Sequence, residues 1–184
     1  GRPRVVPRPI VGNVRARSAV AVLAVAGLTL GPFDGSADPS WPRWRGPAGT
    51  GVSSEVAWRS VGESEPLWRA ELGFGHSSFA VVDGRVVTMG YDLERGRDVV
   101  HCLDAESGAE LWRHEYEAEY WNEGHDGGTC TTPTVVGDVV FTSNREGSAF
   151  AFDAKSGEVR WQRQLAREHE VSPPQWGFSG SPFP

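Results

Sequence analysis

The chain has 184 residues, 18 lysines and arginines against 24 aspartates and glutamates, and a net charge of −6, enough length to bury one sizeable core. Acidic and basic side chains are interspersed beyond the first few dozen residues and form no basic stripe, which argues against a nucleic-acid partner. Two cysteines, Cys102 and Cys130, are too few for a fold held by disulfides.

At the start, arginines at 2, 4, 8, 15 and 17 precede the apolar run Ala19 to Leu30, whose 12 residues are too short to cross a bilayer. With the small residues Gly35-Ser36-Ala37, residues 1–37 read as an export segment carrying the chain through the inner membrane, the alternative being an uncleaved anchor or a loose tail. No cysteine follows the run to take a lipid. Residues 38–65 contain WPRWRGPAGTGVS, whose prolines and glycines forbid a long regular element. This leader is expected to lie extended on the domain, held by Trp41 and Trp44.

From Pro66 onward the pattern is that of short strands. PLWRAEL reads as a strand, followed by a glycine-rich loop. SSFAVV and RVVTMG flank Asp83-Gly84, a pair that favours a type I′ hairpin turn. VVHCLD, the turn AESG and AELWRHEY complete a four-stranded meander. The plan then repeats: TTPTVV, Gly137-Asp138, VVFTSN, REG, SAFAFD, AKSG, EVRWQRQL, with GSPFP opening a third unit.

The repeat is also literal. LDAESGAELW recurs as FDAKSGEVRW, with Asp104 and Asp153, Gly108 and Gly157, and Trp112 and Trp161 each 49 apart. Self-similarity at such a period marks a repeat architecture, and four antiparallel strands per period make it an all-β propeller of four-stranded blades. A β-sandwich, the structural alternative, would not make Asp, Gly and Trp recur in register. The aspartate can accept hydrogen bonds from the backbone amides that follow, and Ser107 or Ser156 can reinforce the turn. The glycine supplies a positive φ, and the tryptophan falls on the outermost strand, where it can dock on the adjacent blade. All of these residues read as structural. The 119 residues from Pro66 to Pro184 amount to about two and a half blades, so the chain reads as the first part of a seven- or eight-bladed propeller.

The spacing A-x-D-x-x-[ST]-G-x-x-x-W resembles the tryptophan-docking repeat of pyrroloquinoline-quinone (PQQ) type propellers. Ala151, Asp153, Ser156, Gly157 and Trp161 match fully, and in the first copy Cys102 stands for the alanine beside Asp104, Ser107, Gly108 and Trp112. The leader and PQWGFSGSP also resemble exported PQQ-like repeat proteins of planctomycete-type bacteria. The resemblance implies one of two branches: quinoprotein dehydrogenases of alcohols or sugars, which hold PQQ and usually Ca²⁺ on the propeller axis, or non-catalytic propellers such as BamB of the outer-membrane assembly machinery. The dehydrogenase branch implies a base carboxylate, calcium-binding oxygens and, in many members, adjacent cysteines. Cys102 and Cys130 are not adjacent, and no calcium pattern is readable. A non-catalytic scaffold in the periplasm or outside the cell is therefore the expected role, with no cofactor, and PQQ and Ca²⁺ belong to the dehydrogenase alternative.

Candidate ligand-facing positions lie in loops. His76, Cys130 and Ser179 each stand two residues before the aligned Ser78, Thr132 and Ser181 and would converge on the axis, as a polar channel lining or as a metal-binding His and Cys. The connection after the first unit carries Tyr120, Trp121, Glu123, His125 and Asp126, and its counterpart carries His169, Glu170 and Trp176. Aromatic and charged residues on rim loops suit a protein or glycan partner, and they are equally natural as solvated loops.

Overall fold

The computed structural model describes residues 40–54, 65–122 and 126–183. The expected export segment, residues 1–37, lies outside the described residues, as do Glu123 and His125.

Two antiparallel four-stranded sheets follow one another along the chain. The first is β1 (Ala80–Val82), β2 (Arg85–Asp92), β3 (Arg97–Asp104) and β4 (Glu110–Glu117), in that spatial order. The second is β5 (Thr134–Val136), β6 (Val139–Ser143), β7 (Ser148–Asp153) and β8 (Val159–Gln164), again in sequence order. These are two blades of a β-propeller. The short inner strands β1 and β5 approach one another, and the long outer strands carry the repeated tryptophans.

Local chemistry sets the hairpins. Asp83 and Gly84 both have positive φ, 51° and 70°, as a type I′ turn demands. A Cβ at Gly84 would meet no atom within 4 Å. Gly84→Ala is therefore expected to cost only the left-handed backbone penalty of about 1–2 kcal/mol, read as a shift in the urea midpoint. Each sheet also carries an irregularity at the same repeat position. The register shifts between Cys102 and Leu103 in β3 and between Ala151 and Phe152 in β7. The extra residue on the outer strand, Leu111 or Arg160, sets Trp112 opposite Cys102 and Trp161 opposite Ala151.

The core forms where the two sheets face each other. Val87, Met89, Val100, Cys102 and Trp112 of the first pack with Val140, Phe150 and Phe152 of the second. Phe150 and Phe152 stack in parallel at 5.5 Å, Tyr116 covers Phe150 at 4.5 Å, and the His114 ring sits 5.0 Å from Phe152. Burying an aromatic ring of this size is worth roughly 2–3 kcal/mol, so this interface dominates the stability of the pair.

β3 is buried on both faces, because residues 66–75 cross the face turned away from the second sheet. PLWRAEL, expected as a strand, is not one. None of residues 66–73 joins a ladder, and the segment first pairs at Phe74, which exchanges hydrogen bonds of 3.0 and 2.8 Å with Tyr91. It lies over the face of a sheet and not beside a free edge, so its backbone finds no strand partner. Its contact is close: a Cβ at Gly90 would collide with the carbonyl oxygen of Leu72.

The leader residues 41–51 form a run of turns, and their first residues add to the inner strands. Trp41 and Val81 exchange hydrogen bonds of 2.7 and 2.9 Å, and Val135 N–H donates to the Pro42 carbonyl at 2.8 Å. The Trp41 ring lies on Gly46, whereas Trp44, expected to pack, is exposed. A short helix, α1 (Leu165–Glu168), follows β8, its Glu168 carboxylate accepting from Gln164 N–H at 3.0 Å and from Arg163 Nε at 2.6 Å.

Candidate functional site

Rigid turns position the loops. Asp104 Oδ1 accepts from the amides of Glu106 and Ser107 (3.2 and 2.8 Å) and from the Ser107 hydroxyl (2.7 Å). Asp153 Oδ1 does the same with Lys155 and Ser156 (3.0, 2.9 and 3.1 Å). These bonds favour the ionised carboxylates. Ser107 holds the Asp104 carboxyl below its usual range, and Asp153 is held lower still, chiefly by Arg160, which bridges it to Asp138 at 2.6 and 2.7 Å. Gly108 and Gly157, at φ 71° and 73°, close the turns. Onto Gly157 lies the Trp112 ring, its indole N–H donating to the Ala154 carbonyl at 3.1 Å. Trp68 meets Gly108 in the same way and donates to the Ala105 carbonyl at 3.0 Å. Trp68 thus takes on the first sheet the place that Trp112 takes on the second, although its own segment is not a strand.

The inner-strand entrances run side by side. Gly75 bridges Thr129 in parallel, His76 N–H donates to the Thr129 carbonyl at 2.6 Å, and Ser78 N–H donates to Thr132 Oγ1 at 3.1 Å. This register makes His76 and Cys130 neighbours along adjacent chains. Thr132 N–H donates in turn to Ser181 Oγ at 2.9 Å, repeating the Ser78–Thr132 bond one period later. Burial pushes the half-buried Cys130 thiol up, so it is a neutral thiol at neutral pH. Cys102 is wholly buried, its thiol pushed up to about 11, and both thiols are free, so no bridge joins them. Among the described residues, no three His, Cys, Asp or Glu side chains come together as a metal site would need.

Sequence reading missed a buried polar centre between the sheets. Asp98, at the start of β3, is only 5% exposed and accepts from Asn144 Nδ2 at 3.2 Å. Asn144 is itself fixed, because its Oδ1 accepts from the amides of Glu146 and Ser148 at 3.1 and 2.9 Å. One amide side chain therefore closes the β6–β7 turn and reaches across to the other sheet. Burial pushes the Asp98 carboxyl up to about 6; the Asn144 hydrogen bond opposes the rise and the charge of Glu146 adds to it. A cavity of about 10 Å³ lies here, bordered by Asp98, Asn144, Thr131 and Cys130. The place of Asp98 beside Arg97, at the end of the charged stretch YDLERGRD, gave no sign of burial.

At the rim, the two equivalent connections meet. The Trp121 and Trp176 rings stand edge to face at 5.2 Å, and the Arg145 guanidinium lies over Trp121 at 4.4 Å. Trp176 remains 55% exposed. The Tyr120 hydroxyl donates to the Asp126 carbonyl at 2.5 Å, and its ring lies on Gly127.

Residues 53–176, well over half of the chain, match the sequence model of the family described as outer membrane protein assembly factor BamB. The chain belongs to the BamB family. This BamB-family chain is also similar to a quinoprotein alcohol dehydrogenase, PedH, of Pseudomonas putida: 36% identity over 85 residues, 46% of this chain and 13% of that protein. It is similar to a quinoprotein ethanol dehydrogenase of Pseudomonas aeruginosa, at 30% identity over 120 residues, 65% of this chain and 18% of that protein. Among solved structures, the quinohemoprotein alcohol dehydrogenase from Comamonas testosteroni aligns with a TM-score of 0.50 at 19% identity, over 71% of this chain and 20% of that one, a likeness of fold. The BamB-family chain thus spans less than a fifth of the length of the curated relatives it matches.

Proposed function

We propose that this BamB-family chain is a non-catalytic scaffold, periplasmic or secreted, that binds a protein partner through one rim of the propeller. The observation that carries this reading is the juxtaposed Trp121, Arg145 and Trp176, contributed by two loops and the β6–β7 turn. Tryptophan and arginine dominate the energetics of protein recognition, since each offers a large rigid surface with a polar end. Trp176, more than half exposed on this cluster, is the anchor.

A second reading, a PQQ-dependent dehydrogenase of alcohols or sugars, is favoured by the 36% identity to PedH. Calcium takes hard oxygen donors; His76 and the neutral Cys130 thiol stand at the inner-strand entrances beside the hydroxyls of Thr132 and Ser181. An imidazole and a neutral thiol do not suit calcium, and no three His, Cys, Asp or Glu side chains gather at a metal-binding distance among the described residues.

Purified protein supplied with PQQ, Ca²⁺ and an electron-accepting dye is expected to show no turnover with alcohols or sugars; robust dye reduction would sink the scaffold reading. A photo-crosslinker at position 176 in cell-envelope fractions should give one discrete protein adduct, lost on Arg145→Ala. Selective binding on a glycan array, with no such adduct, would reassign the rim to carbohydrate.

A further inference from the structure

We infer that the β6–β7 turn, residues 144–147, is the keystone that assembles the rim surface, and that the proton on the buried Asp98 carboxyl beneath it governs partner binding there. The inference rests on the rim reading above and adds its regulation. The surface is assembled while Asp98 is protonated and loosens when Asp98 ionises.

Four successive residues of the turn each hold a different neighbour. Asn144 reaches down to Asp98 on the first sheet, its Nδ2 donating at 3.2 Å. Arg145 lays its guanidinium over the Trp121 ring at 4.4 Å, and its carbonyl accepts from Phe178 N–H at 2.9 Å. The Glu146 carboxylate accepts from Glu119 N–H at 2.7 Å, and the Gly147 carbonyl accepts from Leu165 N–H at 2.8 Å. Gly177, at φ 70°, lies so close that a Cβ there would collide with the Arg145 side chain. The connection after β4 and the one after β8, and with them Trp121 and Trp176, are thus fixed to this one turn.

Asn144 makes the turn sensitive to its buried partner. Its Oδ1 accepts from Glu146 and Ser148 N–H at 3.1 and 2.9 Å, so the amide cannot turn away from Asp98 without undoing the turn. Asp98 is 5% exposed, and the cavity of about 10 Å³ beside it leaves no room for a hydration shell. An ionised Asp98 keeps the Asn144 bond but stays unhydrated and faces the Glu146 carboxylate of the same turn. Opening the turn relieves both. The closed turn holds the Asp98 proton up to about 6 against an ordinary 3.8, so the closed state is favoured at low pH and that preference is lost as pH rises through 6. Between pH 5 and pH 8 opening becomes about tenfold more favourable. A partner that needs the closed turn loses affinity in proportion to the closed fraction.

Tyr91 of β2, Tyr116 of β4, Glu119, Cys130, Arg145 and Glu146 face Asp98 from the elements around it. Burial raises both tyrosines and the thiol, so all three are neutral at pH 5 and uncharged tyrosines remain at pH 8. The remaining charged groups, and His169 at the end of α1, are common to the parent and Asp98→Asn, and comparing the two cancels them.

The test reads the turn first without a partner. Amide exchange of Glu146, Ser148 and Phe178 is followed by NMR, at urea concentrations too low to change it, so that it reports local opening. Protection is expected to fall about tenfold from pH 5 to pH 8 in the parent and to stay level in Asp98→Asn. Glu146→Gln keeps an acceptor for Glu119 N–H and removes the repulsion, and should move the fall to lower pH. A photo-crosslinker in place of the exposed Gln175 is then used in cell-envelope fractions. Its adduct should weaken from pH 5 to pH 8 in the parent and persist in Asp98→Asn. Level protection in the parent, or an equal fall in Asp98→Asn, overturns the inference whatever the rim binds. A fall in protection with an adduct indifferent to pH overturns the control of binding and leaves the rim reading standing. No adduct at any pH overturns the rim reading, and the inference with it.

Discussion

Gly157→Ala is expected to destabilise the protein by about 2–4 kcal/mol, the sum of a left-handed backbone penalty and a steric clash. Its φ is 73°, and a Cβ there would lie 2.6 Å from the Trp112 ring, well inside contact distance. Trp112→Ala removes the ring from the other side and is expected to cost about 3–5 kcal/mol, since the indole is almost wholly buried and packs at 5.9 Å from Phe152. The two effects must couple. With the ring gone, Gly157→Ala should cost only its backbone penalty of about 1–2 kcal/mol. Urea denaturation of the two single variants and the double variant measures this, and strict additivity would show that the ring and the glycine do not act as one dock. Gly84→Ala, with similar φ and open space around it, is the control.

The second large effect is on pH dependence. Asp98 titrates near 6 in the folded protein against an ordinary value of 3.8, so the folded state keeps a proton that the unfolded chain has lost. Between those values the folded state binds more protons, and the contribution of Asp98 to stability falls as pH rises. The difference of roughly two units corresponds to about 3 kcal/mol, fully present below pH 4 and lost above pH 6. Asp98→Asn keeps the shape and the acceptor for Asn144 and removes the charge. It is expected to be as stable as the parent at pH 4 and up to about 3 kcal/mol more stable at pH 8. Other groups bear on the same profile. The lowered Asp104 and Asp153 carboxyls contribute stability that is lost only in stronger acid, while burial lowers His114, which makes stability rise with pH near 6. Comparing variant and parent at each pH cancels these terms. Parallel pH profiles for the two proteins would refute the assignment to Asp98.

Both predictions concern the seam between the blades, and only one of them was legible in the residues. The aspartate, serine, glycine and tryptophan of the repeat each impose a local requirement: an Asx turn, a positive φ, a large ring at a fixed offset. Such requirements survive in the order of residues, so turn and dock can be read from spacing. Asp98 imposes none. Its altered titration comes from the surface that closes over it, against the opposing hydrogen bond of Asn144, 46 positions away. PLWRAEL misled for a related reason. Its composition suits a strand, but a strand also needs an edge to pair with, and residues 66–73 lie across a sheet face. In the leader, Trp41 and Trp44 are alike in sequence. Trp41 has an unpaired β1 edge beside it, and Trp44 stays exposed.

The candidate site divides along the same line. Aromatic and charged loop residues were recognisable one loop at a time, but Trp121, Arg145 and Trp176 become a single surface only because two equivalent connections leave neighbouring blades at one rim. By itself the sequence determined the strand order, the hairpin and Asx turns, the period of 49 and the propeller class, because each rests on interactions within a few residues or on their recurrence. Only the tertiary structure decided which faces are covered, which carboxyl loses its water, and which tryptophan is left without a dock. Those outcomes depend on what lies across a gap from each residue, and contacts between distant segments leave no period along the chain.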